Sequence, residues 1–466
     1  MVRFYNSLTR HIDEFHPISE DHVGYYTCGP TVHDFAHIGN FRTFAWEDLL
    51  RRHLEYRGYD VVHVMNITDV EDKIIRKARD AGVSIGEWTA RYSEAFFEDS
   101  QALHLKAAHH YPRATEHIEQ MLDLVRRLEE KGHTYVSDGS VYYRISSFEG
   151  YGKLVGLDRD RVAVDLRVDA DEYDKDDPAD FVLWKGAKPG EPSWGSPWGE
   201  GRPGWHIECS AMSLSYLGET FDIHAGGVDL KFPHHDNEIA QSEGATGKRF
   251  VNYWLHGAHL LAGEEKMSKS LGNFHTLRDL LEQGHDPRVL RYLLIGTHYR
   301  KTLNFTFDAL DQARSELERI DALRQRLGAE VTETAGSVRI APRLDETRQA
   351  FGEALDDDLN ISGAMGEVFR LVRELNRALD KGEIAVEDAG AAESLFVELD
   401  AVVGSLLPWE AYGEDVEAEI LEMVTRREQA RAGKDWAAAD RLRDEIISRG
   451  YEIEDTPQGA RVKRRR

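Results

Sequence analysis

The first part of the sequence alternates between strand-like and helix-like segments, and this alternation limits the fold more than any other feature. Residues 24–28 form a short β-prone run that stops at Gly29-Pro30, and residues 61–67 form a second one. Between them, residues 41–57 carry apolar side chains at helical spacing. A strand, a helix and a second strand in close succession predict a βαβ unit in a parallel sheet.

The region from 121 to 200 interrupts this alternation. Residues 141–145 are typical of a strand, but residues 169–180 are acidic and residues 189–203 are rich in glycine, proline and tryptophan. The alternation then returns as a strand, a helix and another strand, over residues 221–224, 237–243 and 250–255. The pattern predicts an α/β fold with a Rossmann-type, doubly wound parallel sheet that is split by an inserted module.

From residue 308 onwards the sequence is typical of helices. Apolar residues recur every three or four positions over residues 310–327 and again over 361–379, and residues 395–407 are expected to form a third helix. Pro408 marks a break, after which two short charged helices and a small hairpin over residues 451–462 are expected. The sheet is therefore predicted to be followed by an α-helical bundle and a small α+β C-terminal domain.

These changes of pattern predict six segments. They are residues 1–120 and 201–257 as the two halves of the catalytic domain, 121–200 as the inserted connective module, 258–307 as a junction, 308–407 as the helical bundle, and 408–466 as the C-terminal domain.

The composition excludes several classes of protein. The 466 residues are 41% hydrophobic, which suffices for several buried cores. No apolar stretch approaches the roughly 18 residues that span a bilayer, and no signal-peptide core follows Met1, so a soluble, cytoplasmic protein is expected. The net charge of −26 argues against a generally basic nucleic-acid binder, although a local basic groove can still contact RNA. Two cysteines are too few for a disulfide scaffold.

The first chemical motif is His37-Ile38-Gly39-Asn40, between the first predicted strand and the helix that follows it. At such a position the unpaired N–H groups and the dipole of the helix favour anions such as phosphates. Gly39 leaves room for a ribose or an adenine ring, and His37 can donate to a phosphate oxygen. Taken alone, the tetrapeptide is a weak signal, and an ordinary loop histidine is the favoured interpretation.

The second motif is Lys266-Met267-Ser268-Lys269-Ser270. Two lysines in a loop with small hydroxyl residues can hold a triphosphate while charge develops in the transition state. A solvated lysine loop is the alternative. The occurrence of both motifs in this order, on either side of an inserted module, favours nucleotide chemistry.

The two motifs resemble the signatures of class I aminoacyl-tRNA synthetases, which read His-Ile-Gly-His and Lys-Met-Ser-Lys-Ser. The neighbouring segments resemble cysteinyl-tRNA synthetases in particular, over residues 28–32, 66–73, 180–185, 204–212, 232–238 and 454–459. The chain departs from the general signature at Asn40, where the second histidine is expected. It also carries His33 where this family more often has tyrosine, and the sequence offers no account of it.

The resemblance implies an enzyme that activates L-cysteine with ATP and Mg²⁺ and loads it onto tRNA(Cys), and a monomer is expected. It implies an ATP site formed by His37, Gly39, Asn40, Lys266 and Lys269, with His37 and Lys269 as the catalytic residues. The substrate cysteine would contact Thr68, Trp205, His224 and Asp229. The helical bundle would lie along the tRNA, and the C-terminal domain would approach the anticodon.

The cysteines suggest a metal site. Cys28 ends the first strand and Cys209 opens the second half of the sheet, and the ends of such strands converge at a ligand crevice. His234 and Glu238 are four residues apart and share one helix face, while His235 competes with His234 and Glu208 with Glu238.

Two thiolates, an imidazole and a carboxylate are all donors for zinc. The family resemblance selects Cys28, Cys209, His234 and Glu238 as ligands of one Zn²⁺ per chain. A zinc ion prefers sulfur to oxygen, so it would separate cysteine from serine, which ordinary pockets do poorly.

Three other functions remain open at this point. A related ligase that joins cysteine to an amino sugar lacks the long C-terminal region, a zinc hydrolase leaves the lysine loop unexplained, and a non-catalytic tRNA-binding or zinc-binding module leaves both motifs unexplained.

Overall fold

The computed structural model describes most of the chain, with gaps. The described residues are 1–156, 179–263, 265–266, 274–331, 340–409, 423–424, 426–427, 430–431, 436–449, 451–456 and 459–464. They belong to two compact units, Met1–Leu406 and Leu407–Arg466. The six predicted segments concern function as well as packing, and their boundaries stay predictions.

The described strands are named in chain order. They are β1 (Arg3–Asn6), β2 (His11–Glu14), β3 (His22–Thr27), β4 (Asp60–Met65), β5 (Thr134–Ser137), β6 (Ser140–Tyr143), β7 (Phe181–Gly186), β8 (Trp194–Ser196), β9 (Gly199–Pro203), β10 (Phe221–Gly227), β11 (Val251–Gly257), β12 (Leu260–Ala262), β13 (Glu265–Lys266), β14 (Leu303–Phe305), β15 (Tyr451–Thr456) and β16 (Gly459–Arg464).

The described α-helices are named in the same way. They are α1 (Ile38–Tyr56), α2 (Asp72–Ala81), α3 (Ile85–Ala102), α4 (Ile118–Glu130), α5 (Trp205–Leu217), α6 (His234–Thr246), α7 (Leu277–Glu282), α8 (Pro287–Gly296), α9 (Phe307–Ala329), α10 (Ala341–Asp356), α11 (Ile361–Asp380), α12 (Val386–Val403) and α13 (Trp436–Ser448).

A four-stranded parallel sheet in the order β11-β10-β3-β4 forms the centre of the first unit. Strands β3 and β4 precede the inserted module and β10 and β11 follow it, and Tyr25 of β3 pairs with Ile223 of β10. The two halves thus meet in one sheet, which confirms the predicted Rossmann-type fold and its insertion. Strand order reverses between β3 and β10, and ligands bind outside the carboxyl ends of the strands at such a switch point.

The inserted module contains an antiparallel sheet in the order β5-β6-β7-β9-β8. Its strands bury large aromatic side chains such as Tyr143 and Trp184, which pack in one apolar cluster with helix α4. Most of the acidic stretch noted in the sequence, up to residue 178, lies outside the described residues.

Helices α9 to α12 follow the sheet. Helices α9 and α11 bury the apolar faces that the sequence predicted, and α12 begins earlier and ends earlier than expected. Helix α10 was not predicted. This packing, together with the parallel sheet, matches the expected fold class.

One buried arginine holds these helices to the sheet domain. Arg291 of α8 is fully buried and donates to Oδ2 of Asp48 on α1 over 2.6 Å, and to the backbone oxygens of Leu103 and Val403. Burial disfavours the Asp48 carboxylate, but Arg52 and Arg291 hold the pKa of Asp48 well below its usual range. Helix α1 is therefore fixed against α8, and its N-terminus carries the His37 motif.

The second unit contains α13 and a hairpin of β15 and β16, in which Thr456 pairs with Gly459. The hairpin confirms the sequence prediction. The first of the two charged helices expected after Pro408 lies mostly outside the described residues. None of the helices in the described part of the chain is long and apolar enough to cross a membrane.

Candidate functional site

Four predicted donors come together at the carboxyl end of β3. Cys28 follows that strand directly, Cys209 lies on α5, and His234 and Glu238 lie on α6. One ligand atom from each lies within 4.8 Å of all the others, and all four residues are buried. The two sulfur atoms are 3.9 Å apart, and Nε2 of His234 is 3.0 Å from Oε1 of Glu238.

The structure shows how Cys209 reaches this cluster. It lies in the second turn of α5, the helix that precedes β10 and so opens the second half of the sheet. Its thiol meets Cys28 because α5 packs against β3. Pro233 likewise precedes α6 as its N-cap residue, and His234 is the first helical residue.

The carboxylate of Glu238 lies between two histidines. Oε2 accepts a hydrogen bond from Nε2 of His224 over 3.0 Å. Oε1 is buried and lies 3.0 Å from Nε2 of His234, although the angle of this contact is poor for a hydrogen bond. Burial disfavours the charged form, but His224 and His234 lower the pKa of Glu238 to about 2. An ionised, buried carboxylate beside two thiols and an imidazole fits a cation site.

The thiols are unequal. The hydrogen bond with Cys28 lowers the pKa of Cys209 to about 6, whereas burial raises the pKa of Cys28 well above its usual value. Since a thiolate is the form that binds metals, Cys209 is prepared for that role at neutral pH.

The competition between His234 and His235 is not settled by the helix geometry that the sequence suggested. Nε2 of His235 lies 3.4 Å from the sulfur of Cys28 and 3.9 Å from Oε1 of Glu238. A second donor group therefore consists of Cys28, His224, His235 and Glu238. Only the first group contains both thiols, and zinc favours thiolate ligands. Glu208 belongs to neither group.

The residues predicted to bind cysteine lie at different depths around this cluster. Trp205 is 38% exposed, and its ring centroid lies 4.4 Å from that of His234. His224 is completely buried behind Glu238. Asp229 is exposed in the turn after β10, and Thr68 is buried and donates to Oε2 of Glu208 over 3.0 Å. The structure thus brings Trp205 and His224 into contact with the donor groups.

Replacing Thr68 by valine is expected to lower the free energy of unfolding by about 1–3 kcal/mol. The valine would leave a fully buried carboxylate, Glu208, without the donor that Oε2 now has. Urea unfolding followed by tryptophan fluorescence measures the change. Thr89→Val is the matched control, because Thr89 donates only to helix carbonyls at Ile85 and Gly86. Equal stability of the two variants would contradict the expectation.

Sequence reasoning missed two histidines next to the cluster. Nδ1 of His206 lies 2.8 Å from Nδ1 of His234, and Nε2 of His256 lies 2.8 Å from Nδ1 of His235. His256 also contacts the hydroxyl of Ser7. His206 falls in one of the segments that carry the family resemblance, whereas His256 lies on a strand and has no local signal.

The His37 motif forms the N-terminus of α1. His37 is the N-cap residue, and Gly39 and Asn40 lie in the first turn. The backbone N–H of Ile38 donates to the carbonyl of His275 over 3.0 Å, and His37 pairs with Thr276. The chain that follows the lysine motif is therefore bound to this helix end. Lys266 ends β13, and Lys269 lies outside the described residues.

His33 lies in the loop between β3 and α1. Its Nδ1 is 3.0 Å from the carbonyl oxygen of Thr31, and its own carbonyl accepts a hydrogen bond from Trp88. Burial lowers the pKa of His33. These contacts stabilise the loop that leads to the motif.

The parallel sheet, the His37 motif at the start of α1 and the lysine motif in the sequence together define a class of protein, the class I aminoacyl-tRNA synthetases. The family model described as "tRNA synthetases class I (C) catalytic domain" matches residues 14–315, and the DALR domain model matches residues 350–407. Methionyl-tRNA synthetase from Mycobacterium tuberculosis, in complex with methionyl-adenylate, is similar in fold with a TM-score of 0.60 at 15% identity, over 82% of this chain and 89% of that one.

Full-length relatives narrow the class to one family. The cysteine–tRNA ligase of Solibacter usitatus is 49% identical over 464 residues, covering 100% of both chains. That of Halorhodospira halophila is 48% identical over 474 residues, again covering both chains completely. The chain belongs to the cysteine–tRNA ligase family.

Proposed function

We propose that this protein activates L-cysteine with ATP to cysteinyl-adenylate, transfers the cysteinyl group to the 3′ end of tRNA(Cys), and uses Zn²⁺ to recognise the substrate thiol. The observation that carries the proposal is the buried cluster of two thiols, an imidazole and a carboxylate at the carboxyl end of β3. Membership of the cysteine–tRNA ligase family supports the same substrate.

The metal would be held by Cys28, Cys209, His234 and Glu238. When bound, zinc supplies a soft acceptor that prefers the sulfur of cysteine to the oxygen of serine. His224 orients the Glu238 carboxylate through its hydrogen bond to Oε2. A hydrogen bond to a metal ligand from a residue outside the ligand set fixes the orientation of that ligand. His224 would therefore support the metal site, whether or not it also touches the substrate.

The remaining pocket residues would orient the amino acid. Trp205, at the exposed start of α5, would cover the substrate side chain beside His234. Thr68 and Asp229 are the candidates for the substrate ammonium group. Asp229 has an exposed carboxylate near His259, whereas the hydroxyl of Thr68 is already bonded to Glu208.

The nucleotide would lie at the N-terminus of α1. His37 would contact the phosphates or the ribose, with Asn40 in the same turn, Gly39 would allow close approach, and Lys266 and Lys269 would hold the triphosphate together with Mg²⁺. Little proton transfer is needed for the attack of a carboxylate on the α-phosphate, so positioning and charge stabilisation dominate. Of these, His37 and Lys269 are the proposed catalytic residues.

The proposal extends to the rest of the chain. Residues 308–407 would contact the tRNA and residues 408–466 its anticodon region, in a monomeric, cytoplasmic enzyme. The match to curated relatives along the whole chain supports this role over that of a shorter amino-sugar ligase.

Cysteine-dependent exchange of pyrophosphate into ATP tests the proposal. We expect cysteine to be preferred to serine by roughly 10⁴-fold, because the site binds the atom in which the two differ. Removal of zinc with a chelator should abolish the exchange, and added Zn²⁺ but not Mg²⁺ should restore it. Unchanged exchange by a protein shown to be metal-free would refute the role of zinc, and exchange with serine alone would refute the substrate.

A further inference from the structure

The N-terminus of α1 is closed by hydrogen bonds between His37 and Asn40. The backbone N–H of Asn40 donates to the carbonyl oxygen of His37 over 2.9 Å and to Nδ1 of its ring over 3.2 Å. Oδ1 of Asn40 accepts from the backbone N–H of His37 over 3.1 Å. This arrangement is a capping box, here built from an imidazole and a carboxamide. It occurs at the one signature position where the chain departs from the general class pattern.

The capping box decides which ring nitrogen of His37 carries a proton. A nitrogen that accepts a hydrogen bond is unprotonated, so a neutral ring with Nδ1 as acceptor carries its proton at Nε2. Nε2 is then a donor, which is the property that a contact to an anion requires. The opposite tautomer would present a lone pair at Nε2 and repel a phosphate oxygen.

Neighbouring contacts hold the same ring. Its centroid lies 5.3 Å from that of Phe274 in an edge-to-face arrangement, and the backbone of His37 pairs with Thr276. Because the ring and the backbone are both fixed, the direction of the Nε2–H bond is set by the turn that the Asn40 side chain closes.

We propose that Asn40 is a positioning residue. By accepting the backbone N–H of His37, its side chain holds the turn at the start of α1. This turn fixes the His37 ring as the Nε2–H tautomer, with Nε2–H facing the ATP phosphates. The inference rests on the proposed function, in which His37 contacts ATP. Asn40 acts through His37, because its carboxamide contacts the backbone N–H of that residue.

The tautomer is the most direct readout. Long-range ¹H–¹⁵N NMR of protein labelled at histidine, with the His37 signals assigned by comparison with His37→Gln, distinguishes Nδ1–H from Nε2–H. We expect one tautomer, Nε2–H, in the unmodified protein and in Asn40→Asp, which keeps the acceptor. Asn40→Ala should give a mixture. Glu87→Ala is the matched control, because it opens the capping box of Ser84 and Glu87 at the start of α3. An unchanged tautomer in Asn40→Ala would overturn the proposal.

A double-mutant cycle provides the kinetic readout. Asn40→Ala should lower kcat for pyrophosphate exchange about tenfold, as expected for one lost hydrogen bond, and leave KM for cysteine unchanged. In a His37→Ala background the same substitution should cost nothing further. A full tenfold loss in that background would mean that Asn40 acts independently, and would refute the positioning role. Absence of exchange in the unmodified protein would refute the proposed function instead, while the NMR comparison still decides the role of Asn40.

Discussion

Cys209→Ser is expected to remove zinc from the protein and to lower the rate of cysteine activation by at least roughly 100-fold. The hydrogen bond with Cys28 lowers the pKa of the Cys209 thiol, which favours the thiolate that zinc binds. A serine hydroxyl stays protonated and is a harder donor, which zinc binds poorly. Zinc per chain by mass spectrometry and cysteine-dependent pyrophosphate exchange measure the two effects.

The control lies on the same helix. Met212 is buried in the same apolar cluster as Cys209, and Met212→Leu conserves volume, so this variant should keep its zinc and its activity. His235→Gln separates the two donor groups, since His235 belongs only to the second and Cys209 only to the first. Loss of zinc in His235→Gln together with its retention in Cys209→Ser would place the metal in the second group.

Local patterns in the sequence were sufficient for most of the fold. The predicted helix over 41–57 is α1, and the predicted strands over 61–67 and 250–255 are β4 and β11, displaced by one or two residues. Helix α10 was missed because Thr347 and Gly352 occupy two positions of the face that it buries, between Leu344, Phe351 and Leu355. The apolar pattern in the sequence is therefore weak, although the helix packs against α11 and α12.

The candidate site was harder to predict from the sequence than the fold. The spacing of His234 and Glu238 predicts a shared helix face, but it cannot exclude His235 as a metal ligand. A side chain in the first turn of a helix can also reach atoms at the ends of neighbouring strands. The contacts of His224 with Glu238 and of His256 with His235 join α6 to the strands on either side of it in the chain, β10 and β11. Such tertiary contacts have no periodic signal, because they depend on how the helix packs against the sheet.

Lys269→Ala is expected to slow adenylate formation by roughly 10²–10³-fold, while KM for cysteine changes little. The attack on the α-phosphate builds negative charge on the departing pyrophosphate, and a lysine that meets this charge stabilises the transition state more than the bound substrates. The flanks of the lysine motif support this placement. Lys266 pairs with Leu261 in the β12–β13 hairpin, and His275 is bonded to Ile38 at the N-terminus of α1.

Single-turnover measurement of cysteinyl-adenylate formation, compared with equilibrium binding of cysteine, separates these effects. Lys269→Arg keeps the positive charge and should recover part of the rate. Lys301→Ala removes an exposed lysine at a distance along the chain from the motif, and should leave the rate unchanged. The contrary result would be a Lys269→Ala variant that binds cysteine more weakly but forms adenylate at an unchanged rate once its substrates are bound. The lysine would then act on substrate binding in the ground state, and other groups would have to stabilise the triphosphate during the reaction.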